Sequence, residues 1–467
     1  MTDIARLTDG YRSARLSPVA VTRAVLDAIA AVNDEWRAFT HVAADQALAD
    51  AAASAARWRQ GTPLGSLDGV PATVKDLLPV AGWPLRLGSL TEPDNPPAAT
   101  DAPAVARLRA GGAVLIGQTA APEFSWKGVT DSPLNGITRN PWNRARTPGG
   151  SSGGAAVAAL LGLGLVHLGT DASGSIRIPA AFTGVFGLKP TYGRVPAWPA
   201  GALTHVGPLA RSTADAAIVL DAITASDPRD WNHVAVLPPG RFHARLEDGV
   251  AGLNIATSPG LGGLPSTPAV QAALTRATTI LRDAGAALQA ADPPVHDAGA
   301  IARVLYAGGY VRRLGAMDAA RLALVDPGLR ALATAGRDLT LADHLAAQDG
   351  RAQLASRLSQ FFAVHDLLLC PAVPSAPFAI GQDVPDPATQ RWVTDWAGYC
   401  HPFNLGQQPA ASVPMGLDED GLPVAVQIVG PKYREDLVLR AARVIEAARP
   451  MPDCPYSLPI SAICAAE

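Results

Sequence analysis

The sequence predicts an α/β protein with a large β-sheet that helices cover on both faces. Short apolar segments rich in β-branched residues alternate with helical patterns along most of the chain. Hydrophobic residues make up 48% of the 467 residues and charged residues 17%, which is enough apolar material for one large core. No Pro/Ser linker, low-complexity tract or repeat divides the chain. We therefore expect a single domain over residues 1–467, although this length would allow two or three.

Helices are predicted for the N-terminal part, about residues 1–60. Ser17 and Pro18 provide an N-cap and a first-turn proline for the first of them. An alanine-rich segment over residues 43–59 predicts the second.

Strands are predicted where short, fully apolar runs lie between turn residues or end on a charge. The first is residues 69–76, which contain Lys75 and Asp76, and a helix over 101–109 leads to the next strand at 113–117. Residues 155–169 predict a buried helix, a turn and a short strand. Later strands are predicted at 253–256, 366–370 and 423–429, and later helices at 268–284 and 435–448. Residues 300–365 have an almost continuous helical pattern, typical of peripheral helices and also of a cap over a site.

Composition excludes several classes of protein. The net charge is -3 and no run of Lys or Arg occurs, so no nucleic-acid partner is expected. The N-terminus lacks the pattern of a signal peptide, and the longest charge-free apolar stretch, 155–169, is too short to span a membrane. Cys370, Cys400, Cys454 and Cys464 match no metal or redox spacing. We therefore expect a soluble, cytoplasmic protein with reduced thiols.

A loop of glycine and serine spans residues 147–154, Thr-Pro-Gly-Gly-Ser-Ser-Gly-Gly. It fits the G-x-S-x-G pattern of a nucleophile elbow centred on Ser151, and it also resembles a glycine loop that holds a phosphate. A phosphate loop requires a lysine and a hydroxyl residue after the glycines, but two alanines follow here. An elbow requires a preceding strand, which Pro141 and Pro148 exclude. The loop therefore lacks the sequence context of either motif.

A second serine-glycine cluster lies 24 residues after Ser151, where residues 169–179 are Gly-Thr-Asp-Ala-Ser-Gly-Ser-Ile-Arg-Ile-Pro. It directly follows the apolar segment 165–168, an order that exposes a serine at the end of a strand. Small residues at 172–174 allow successive backbone N–H groups to converge on one point, as in an oxyanion hole. A tight turn with a capping serine is the alternative interpretation of this cluster.

Taken together, the two clusters and the Val-Pro-Ala-Thr-Val-Lys-Asp segment that contains Lys75 resemble the amidase signature family. Further matching stretches are residues 121–124, 132–143, 186–191, 408–414 and 421–423. The resemblance runs from about residue 60 to the end of the C-terminal helix. It implies a large mixed, twisted β-sheet surrounded by α-helices, with a signature core over about residues 65–215 and a variable helical region on the substrate side over about 300–365.

The resemblance also implies the catalytic residues. Ser175 would be the nucleophile, Ser151 the bridging serine held by a cis peptide bond, and Lys75 the base. The expected oxyanion hole consists of the backbone N–H groups of Ala172, Ser173, Gly174 and Ser175.

The chemistry of this triad places a demand on Lys75. A free lysine has a pKa near ~10.4, so a base that is largely neutral near pH 7 needs a pKa lowered by about 3 units. Burial in a strand of valines and alanines lowers the pKa, whereas a nearby carboxylate raises it. We therefore expect the side chain of Asp76 to point away from Lys75.

Substrate contacts are expected from Trp126, Gly149, Gly150 and Asn135, although core packing explains the tryptophan equally well. The chain departs from the family pattern at three places. Ser173 replaces a glycine or alanine before the nucleophile, Gln-Thr-Ala at 118–120 replaces Lys-Thr-Asn, and Leu-Arg at 85–86 replaces smaller threonines. The first affects the expected oxyanion geometry, and the second predicts a loss of polar contacts.

A histidine-based triad is the competing mechanism. His167, His205 and His401 lie in or near the matching stretches, but no spacing marks any of them as a base. We expect packed or surface positions for all three.

The resemblance implies an amidase that hydrolyses the C–N bond of aryl or alkyl carboxamides through an acyl-enzyme, with esters and carbamates open to the same acyl chemistry. One alternative is the amidase subunit of a glutamine-dependent tRNA amidotransferase. A non-catalytic binding member of the fold is a second alternative, which the presence of all three triad residues disfavours. We expect a small-molecule amide as the partner and no nucleic acid, membrane, metal or cofactor. A homodimer is left open.

Overall fold

The computed structural model describes residues 3–92, 95–199, 201–234, 240–392 and 395–457. Within these ranges, eleven strands form one mixed sheet, and two short strands form a separate hairpin. In chain order the strands are β1 (Phe39–Val42), β2 (Pro71–Lys75), β3 (Val114–Thr119), β4 (Asp131–Ser132), β5 (Gly136–Ile137), β6 (Val166–Asp171), β7 (Phe186–Lys189), β8 (His205–Ala210), β9 (Asn254–Thr257), β10 (Ala287–Ala290), β11 (Leu367–Pro371), β12 (Ala410–Leu417) and β13 (Pro423–Val429). The predicted mixed α/β fold is confirmed.

Helices pack around this sheet, and their bounds follow in chain order. They are α1 (Asp3–Arg12), α2 (Pro18–Trp36), α3 (Ala44–Gln60), α4 (Pro103–Ala110), α5 (Gly153–Leu161), α6 (Arg177–Thr183), α7 (Thr213–Ile223), α8 (Arg241–Ala244), α9 (Pro268–Asp283), α10 (Ala298–Leu314), α11 (Ala319–Leu324), α12 (Pro327–Ala335), α13 (Leu341–Val364), α14 (Pro402–Leu405) and α15 (Glu435–Ala448). The predicted N-cap is present, because the Ser17 side chain accepts the N–H of Val19 at 3.2 Å. The helical pattern over residues 300–365 corresponds to α10 to α13.

The strand order explains how distant segments reach one site. The sheet runs β1-β3-β2-β6-β8-β7-β12-β13-β11-β9-β10, and β2 is parallel to both of its neighbours, β3 and β6. Val74 lies beside Leu168 in the β2–β6 register. Since parallel strands end at the same edge, Lys75 at the end of β2 lies close to Asp171 at the end of β6.

Most predicted strands are present within two residues of their expected bounds, but seven strands were not predicted. Five of these belong to the large sheet, β1, β7, β8, β10 and β12, and the other two, β4 and β5, form the short hairpin. Two of the missed strands contain a proline, which normally argues against a sheet interior: β8 contains Pro208 and β12 contains Pro414. Long-range pairing with their neighbours keeps these segments in the sheet.

Helix α5 begins at Gly153, with the last two glycines of the Gly-Gly-Ser-Ser-Gly-Gly loop, and is buried on every side. A Cβ atom on Gly154 would lie only 2.5 Å from the Ala38 carbonyl oxygen and 2.8 Å from that of Ala120. Only glycine permits this approach of the helix to the end of β3. Residues 140–150 form no strand before Ser151, so the context of a nucleophile elbow is absent, as predicted.

Within the described ranges, none of the helices combines the length and the apolar character that crossing a membrane requires. Cys370, Cys400 and Cys454 are buried free thiols, whereas Cys464 lies outside the described residues. Burial raises the pKa of the Cys370 thiol to about 12 and that of Cys400 to about 11.

Candidate active site

Lys75 is the last residue of β2 and is fully buried. Its Nζ atom donates to Ser151 Oγ at 2.6 Å and to Thr170 Oγ1 at 2.9 Å. Thr170 belongs to β6, the parallel neighbour of β2, so the sheet itself aligns this contact. The structure thus joins the predicted base directly to the predicted bridging serine.

Burial lowers the pKa of Lys75 to about 7, against the opposing charges of Asp171 and, to a smaller degree, Asp76. The Asp76 carboxylate is turned toward the backbone of the next loop, where it accepts the N–H of Leu87 at 3.3 Å. This orientation agrees with the expectation that Asp76 points away from Lys75. A lysine with such a lowered pKa is partly neutral at neutral pH, and the neutral amine can accept a proton.

The two serine-glycine loops meet at the edge of the sheet. The Gly150–Ser151 peptide bond is cis, as the resemblance implies. Ser151 is fully buried, and the N–H of the following Ser152 donates to the carbonyl oxygen of Ser175 at 3.0 Å. Ser175 lies between β6 and α6 and is 4% exposed. The segments that carry Lys75, Ser151 and Ser175 are therefore buried and adjacent to one another.

A buried ion pair holds the second loop. Arg177 donates through Nε and Nη2 to the two carboxylate oxygens of Asp171, each at 2.9 Å, and both side chains are fully buried. The same carboxylate accepts the N–H groups of Gly174 at 2.7 Å and Ile176 at 3.1 Å. Burial opposes the charge of Asp171, but the guanidinium outweighs it and holds the pKa of this carboxyl well below its usual range.

The other partners of Arg177 lie far along the chain. Its guanidinium donates to the Cys400 carbonyl at 3.0 Å, to Gln427 at 2.7 Å and to Asn404 at 2.6 Å. The loop that carries Ser175 is thus tied to the segment around α14 and to β13. None of these partners was predicted as a site residue.

One N–H group of the expected oxyanion hole already has a partner inside the protein. The Gly174 N–H donates to Asp171 Oδ1 at 2.7 Å. Among the described residues, the N–H groups of Ala172, Ser173 and Ser175 have no acceptor. Gly174 instead shapes the loop, because its φ is +110° and a Cβ atom there would lie 2.7 Å from Cys400 Cβ.

Residues 20–439 match the model of the family described as Amidase. The chain belongs to the amidase signature family. It is 36% identical to a Glutamyl-tRNA(Gln) amidotransferase subunit from Anaeromyxobacter sp. (strain K), with 94% of each chain covered. It is 34% identical to an acylamidase from Rhodococcus erythropolis, again with 94% of each covered. A crystal structure of a bacterial aryl acylamidase of the same family superimposes with a TM-score of 0.89 at 29% identity, covering 99% of this chain and 98% of the other.

In this amidase signature protein, the histidines of the competing mechanism are packed inside the fold. Burial lowers the pKa of His167 to about 3 and that of His401 to about 4, and it lowers the pKa of His205 well below its usual range. His167 Nδ1 lies 2.8 Å from the Oγ1 atom of Thr73, a residue of β2. These surroundings favour neutral structural histidines.

The predicted substrate residues occupy different environments. Trp126 is buried, and its Nε1 atom has no hydrogen-bond partner among the described residues. Gly149 is committed inside the protein: its N–H donates to Thr147 Oγ1 at 3.1 Å and its carbonyl accepts from Thr130 Oγ1 at 2.8 Å. A Cβ on Gly150 would lie 2.5 Å from the Val129 carbonyl oxygen. The two glycines therefore have packing roles.

Asn135 lies in the turn between β4 and β5. Its carbonyl accepts from Arg37 at 3.4 Å and its N–H donates to Ser132 Oγ at 3.0 Å. These bonds connect it to the end of α2, and they do not reach the Lys75–Ser151 pair. Unlike Gly149 and Gly150, Asn135 therefore has no hydrogen bond that connects it to the loop of Ser151 among the described residues.

Two departures from the family pattern leave buried polar atoms. Ser173 is 2% exposed, and its Oγ has no partner in the described part of the chain. Gln118 Nε2 is likewise buried and unpartnered within the described ranges, as is the Oγ1 atom of Thr119, the one residue of 118–120 that matches the family pattern. The expected loss of polar contacts from residues 118–120 agrees with this finding.

Sequence reasoning missed Thr170 and the partners of the Asp171–Arg177 pair. One signal was available, because Asp171 and Arg177 are opposite charges six residues apart within an otherwise uncharged stretch. Buried charges in such a stretch are normally paired. No local signal indicates Asn404 or Gln427, since both lie more than 220 residues from Arg177 in the chain.

Proposed function

We propose that this protein is an amidase that hydrolyses linear carboxamides through Ser175, Ser151 and Lys75. The observation that carries the proposal is the fully buried Lys75 amine, bonded to Ser151 Oγ at 2.6 Å, with a pKa lowered by burial to about 7. A lysine that is partly neutral at physiological pH can act as a general base for a serine nucleophile.

The reaction begins with two proton transfers. Neutral Lys75 accepts the proton of the Ser151 hydroxyl, and Ser151 accepts the proton of the Ser175 hydroxyl. The Ser175 oxygen forms a bond to the carbonyl carbon of the substrate, and the carbonyl oxygen becomes an oxyanion. The free N–H groups of Ala172, Ser173 and Ser175 are the donors nearest along the chain to stabilise that charge.

The intermediate then releases the amine. Lys75 returns a proton through Ser151 to the leaving nitrogen, the C–N bond breaks, and an ester remains on Ser175. Water attacks this ester with the same two residues as base, which releases the carboxylic acid and restores the Ser175 hydroxyl. Esters and carbamates would react by the same acyl transfer.

The preferred substrates are aryl or alkyl carboxamides. The likeness to acylamidases supports this class, since the chain covers nearly the whole of a bacterial aryl acylamidase and of an acylamidase from Rhodococcus erythropolis. Trp126, whose side chain is buried, is the apolar side chain that we propose contacts the acyl or amine group.

The amidase subunit of a glutamine-dependent tRNA amidotransferase is the second candidate. The 36% identity to the Anaeromyxobacter tRNA amidotransferase subunit, over 94% of both chains, favours it. The two candidates differ in one property: a hydrolase acts alone, whereas the subunit would depend on its partners.

A substrate panel on the purified chain separates the candidates. We expect release of amine from anilides and aliphatic amides without ATP or partner proteins, and turnover of matched esters and carbamates as well. Mass spectrometry after fluorophosphonate treatment should find the label on Ser175. A label on Ser151 would reverse the two serines, and inertness on the whole panel with activity only beside partner subunits would establish the second candidate.

The pH dependence of kcat/KM tests the role of Lys75. Because the base must be neutral, we expect kcat/KM to rise with pH, with an apparent pKa near 7 for a substrate that does not ionise. Below that pH the amine is protonated in the free enzyme and cannot accept the proton of Ser151. His167 and His401 titrate much lower, so they do not account for a limb near 7. A flat profile between about pH 5 and 9 would contradict this assignment.

A further inference from the structure

Lys127 is a buried cation at the centre of a cluster of carboxylates that the triad does not use, of which Asp131 and Asp326 are mostly buried and Asp383 is 39% exposed. The Lys127 side chain is 5% exposed, and its Nζ atom lies 2.5 Å from Asp131, 2.8 Å from Asp383 and 3.2 Å from Asp326. Burial disfavours the ammonium charge, but these three carboxylates outweigh that effect and raise the pKa of Lys127 above its usual range. One cation therefore holds three acids at this point.

The three carboxylates belong to three different parts of the chain. Asp131 begins β4, in the same segment as Lys127. Asp326 caps α12, where its Oδ1 accepts the N–H of Gly328 at 2.8 Å. Asp383 lies in the segment that follows β11. Lys127 thus fastens the helical region and a long loop to one short stretch of backbone.

That stretch packs on the loop of the bridging serine. A Cβ on Gly150 would lie 2.5 Å from the Val129 carbonyl oxygen, so the two backbones touch. Thr130 Oγ1 donates to the Gly149 carbonyl at 2.8 Å and accepts the N–H of Gly153 at 3.0 Å. A shift of residues 127–130 would therefore shift the backbone on both sides of Ser151.

The same stretch carries Trp126, the expected wall of the substrate site. A Cβ on Gly328 would lie only 2.7 Å from the Trp126 ring, and the Lys127 ammonium lies 5.3 Å from the centre of that ring. Tyr306 of α10 donates to the Trp126 carbonyl at 2.8 Å. The indole is thus held between Lys127 and the N-terminus of α12.

We propose that Lys127 is a positioning residue that fixes Trp126 and the cap of α12 against the Ser151 loop, and so sets which substrates Ser175 accepts. This inference rests on the proposed function, because it takes Ser175 as the nucleophile and Trp126 as part of the substrate site. The Lys127 cluster holds Trp126 in position, so the geometry of this part of the substrate site depends on all members of the cluster being present.

The test is the ratio of labelling rates with two fluorophosphonates, one carrying a short alkyl chain and one carrying a long chain, together with kcat and KM for short and long acyl anilides. We expect Lys127→Met to change the long-to-short ratio at least fivefold, mainly through KM. Lys127→Arg keeps the cation and should stay within twofold of the wild type. All rates are measured at a temperature where circular dichroism shows each variant folded.

A matched control breaks another ion pair far from the site. Arg57 of α3 donates to the fully buried Asp68 at 2.6 Å, before the N-terminal end of β2 and so at the opposite edge of the sheet from Lys75. Arg57→Met should lower Tm. It should leave unchanged the long-to-short ratio of labelling rates and the long-to-short ratio of kcat/KM for the anilides. Should Lys127→Met fail to fold, Asp383→Asn removes one carboxylate charge while Asp131 and Asp326 remain, and a two- to threefold change in the same direction is expected.

The outcomes separate the two levels of inference. A wild-type protein that reacts at Ser175, with unchanged ratios in folded Lys127→Met or Asp383→Asn, overturns the role of Lys127 alone. A wild-type protein that no fluorophosphonate labels overturns the proposed nucleophile and this inference with it. A changed ratio in Lys127→Met that is absent in Arg57→Met supports the positioning role.

Discussion

The Ser175→Ala variant is expected to lose turnover of amides and esters by about 10⁴- to 10⁶-fold in kcat, because the oxygen that forms the acyl-enzyme is gone. Ser175 contributes little to stability through its side chain, so the fold and Tm should stay near those of the wild type. Lys75→Ala should lower kcat by about 10²- to 10⁴-fold, the range of a general base. Steady-state kinetics on an anilide and its matched ester provide the measurement.

A serine outside the site controls for the substitution itself. Ser212 caps α7, where its Oγ accepts the N–H of Asp215 at 3.1 Å. Ser212→Ala should cost about 1 kcal/mol of stability and leave kcat and KM unchanged. Full activity of Ser175→Ala would refute the nucleophile, and full activity of Lys75→Ala would refute the base.

Arg177→Met is expected to lower the free energy of unfolding by about 3–5 kcal/mol, because it leaves the charge of Asp171 buried without its partner. Urea denaturation measures this loss. The exposed pair of Arg245 and Asp248 is the control, since its side chains are 49% and 39% exposed and Asp248→Asn, which leaves Arg245 in place beside Asp436, should cost less than about 1 kcal/mol. A loss of the same size in both variants would contradict a special role for the buried pair.

The buried Asp171–Arg177 pair should also shift the pKa of Lys75. Substitution of its two members should shift that pKa in opposite directions. Asp171 raises the pKa of Lys75, and the Arg177 guanidinium is paired with the same carboxylate. Arg177→Met should therefore move the acidic limb of kcat/KM to higher pH, and Asp171→Asn should move it to lower pH. Shifts in the same direction for both folded variants would show that the pair acts on packing alone.

The sequence was sufficient for the elements and residues that depend on local patterns. The β-branched run ending at Lys75 predicted β2, and the apolar run before Asp171 predicted β6. The missing strand before Ser151 correctly excluded an elbow, and the demand that Asp76 point away from Lys75 follows from charge alone. Period and composition determine these features because each depends on residues close together in the chain.

The tertiary structure decided which residues come into contact when they are far apart in the chain. Parallel pairing of β2 with β6 places Lys75 beside Thr170, and the donors of Gly174 and Gly149 are used within the fold, which the sequence did not reveal. The contacts of Arg177 and of Lys127 span as many as 250 and 256 residues. Local periodicity carries no information about such contacts, because strand order and helix packing bring the partners together only after the sheet has formed. The sequence of the Gly-Gly-Ser-Ser-Gly-Gly loop is enough to single out Ser151 as a candidate site residue. The role proposed for Ser151 depends on Lys75, which the sheet places beside it.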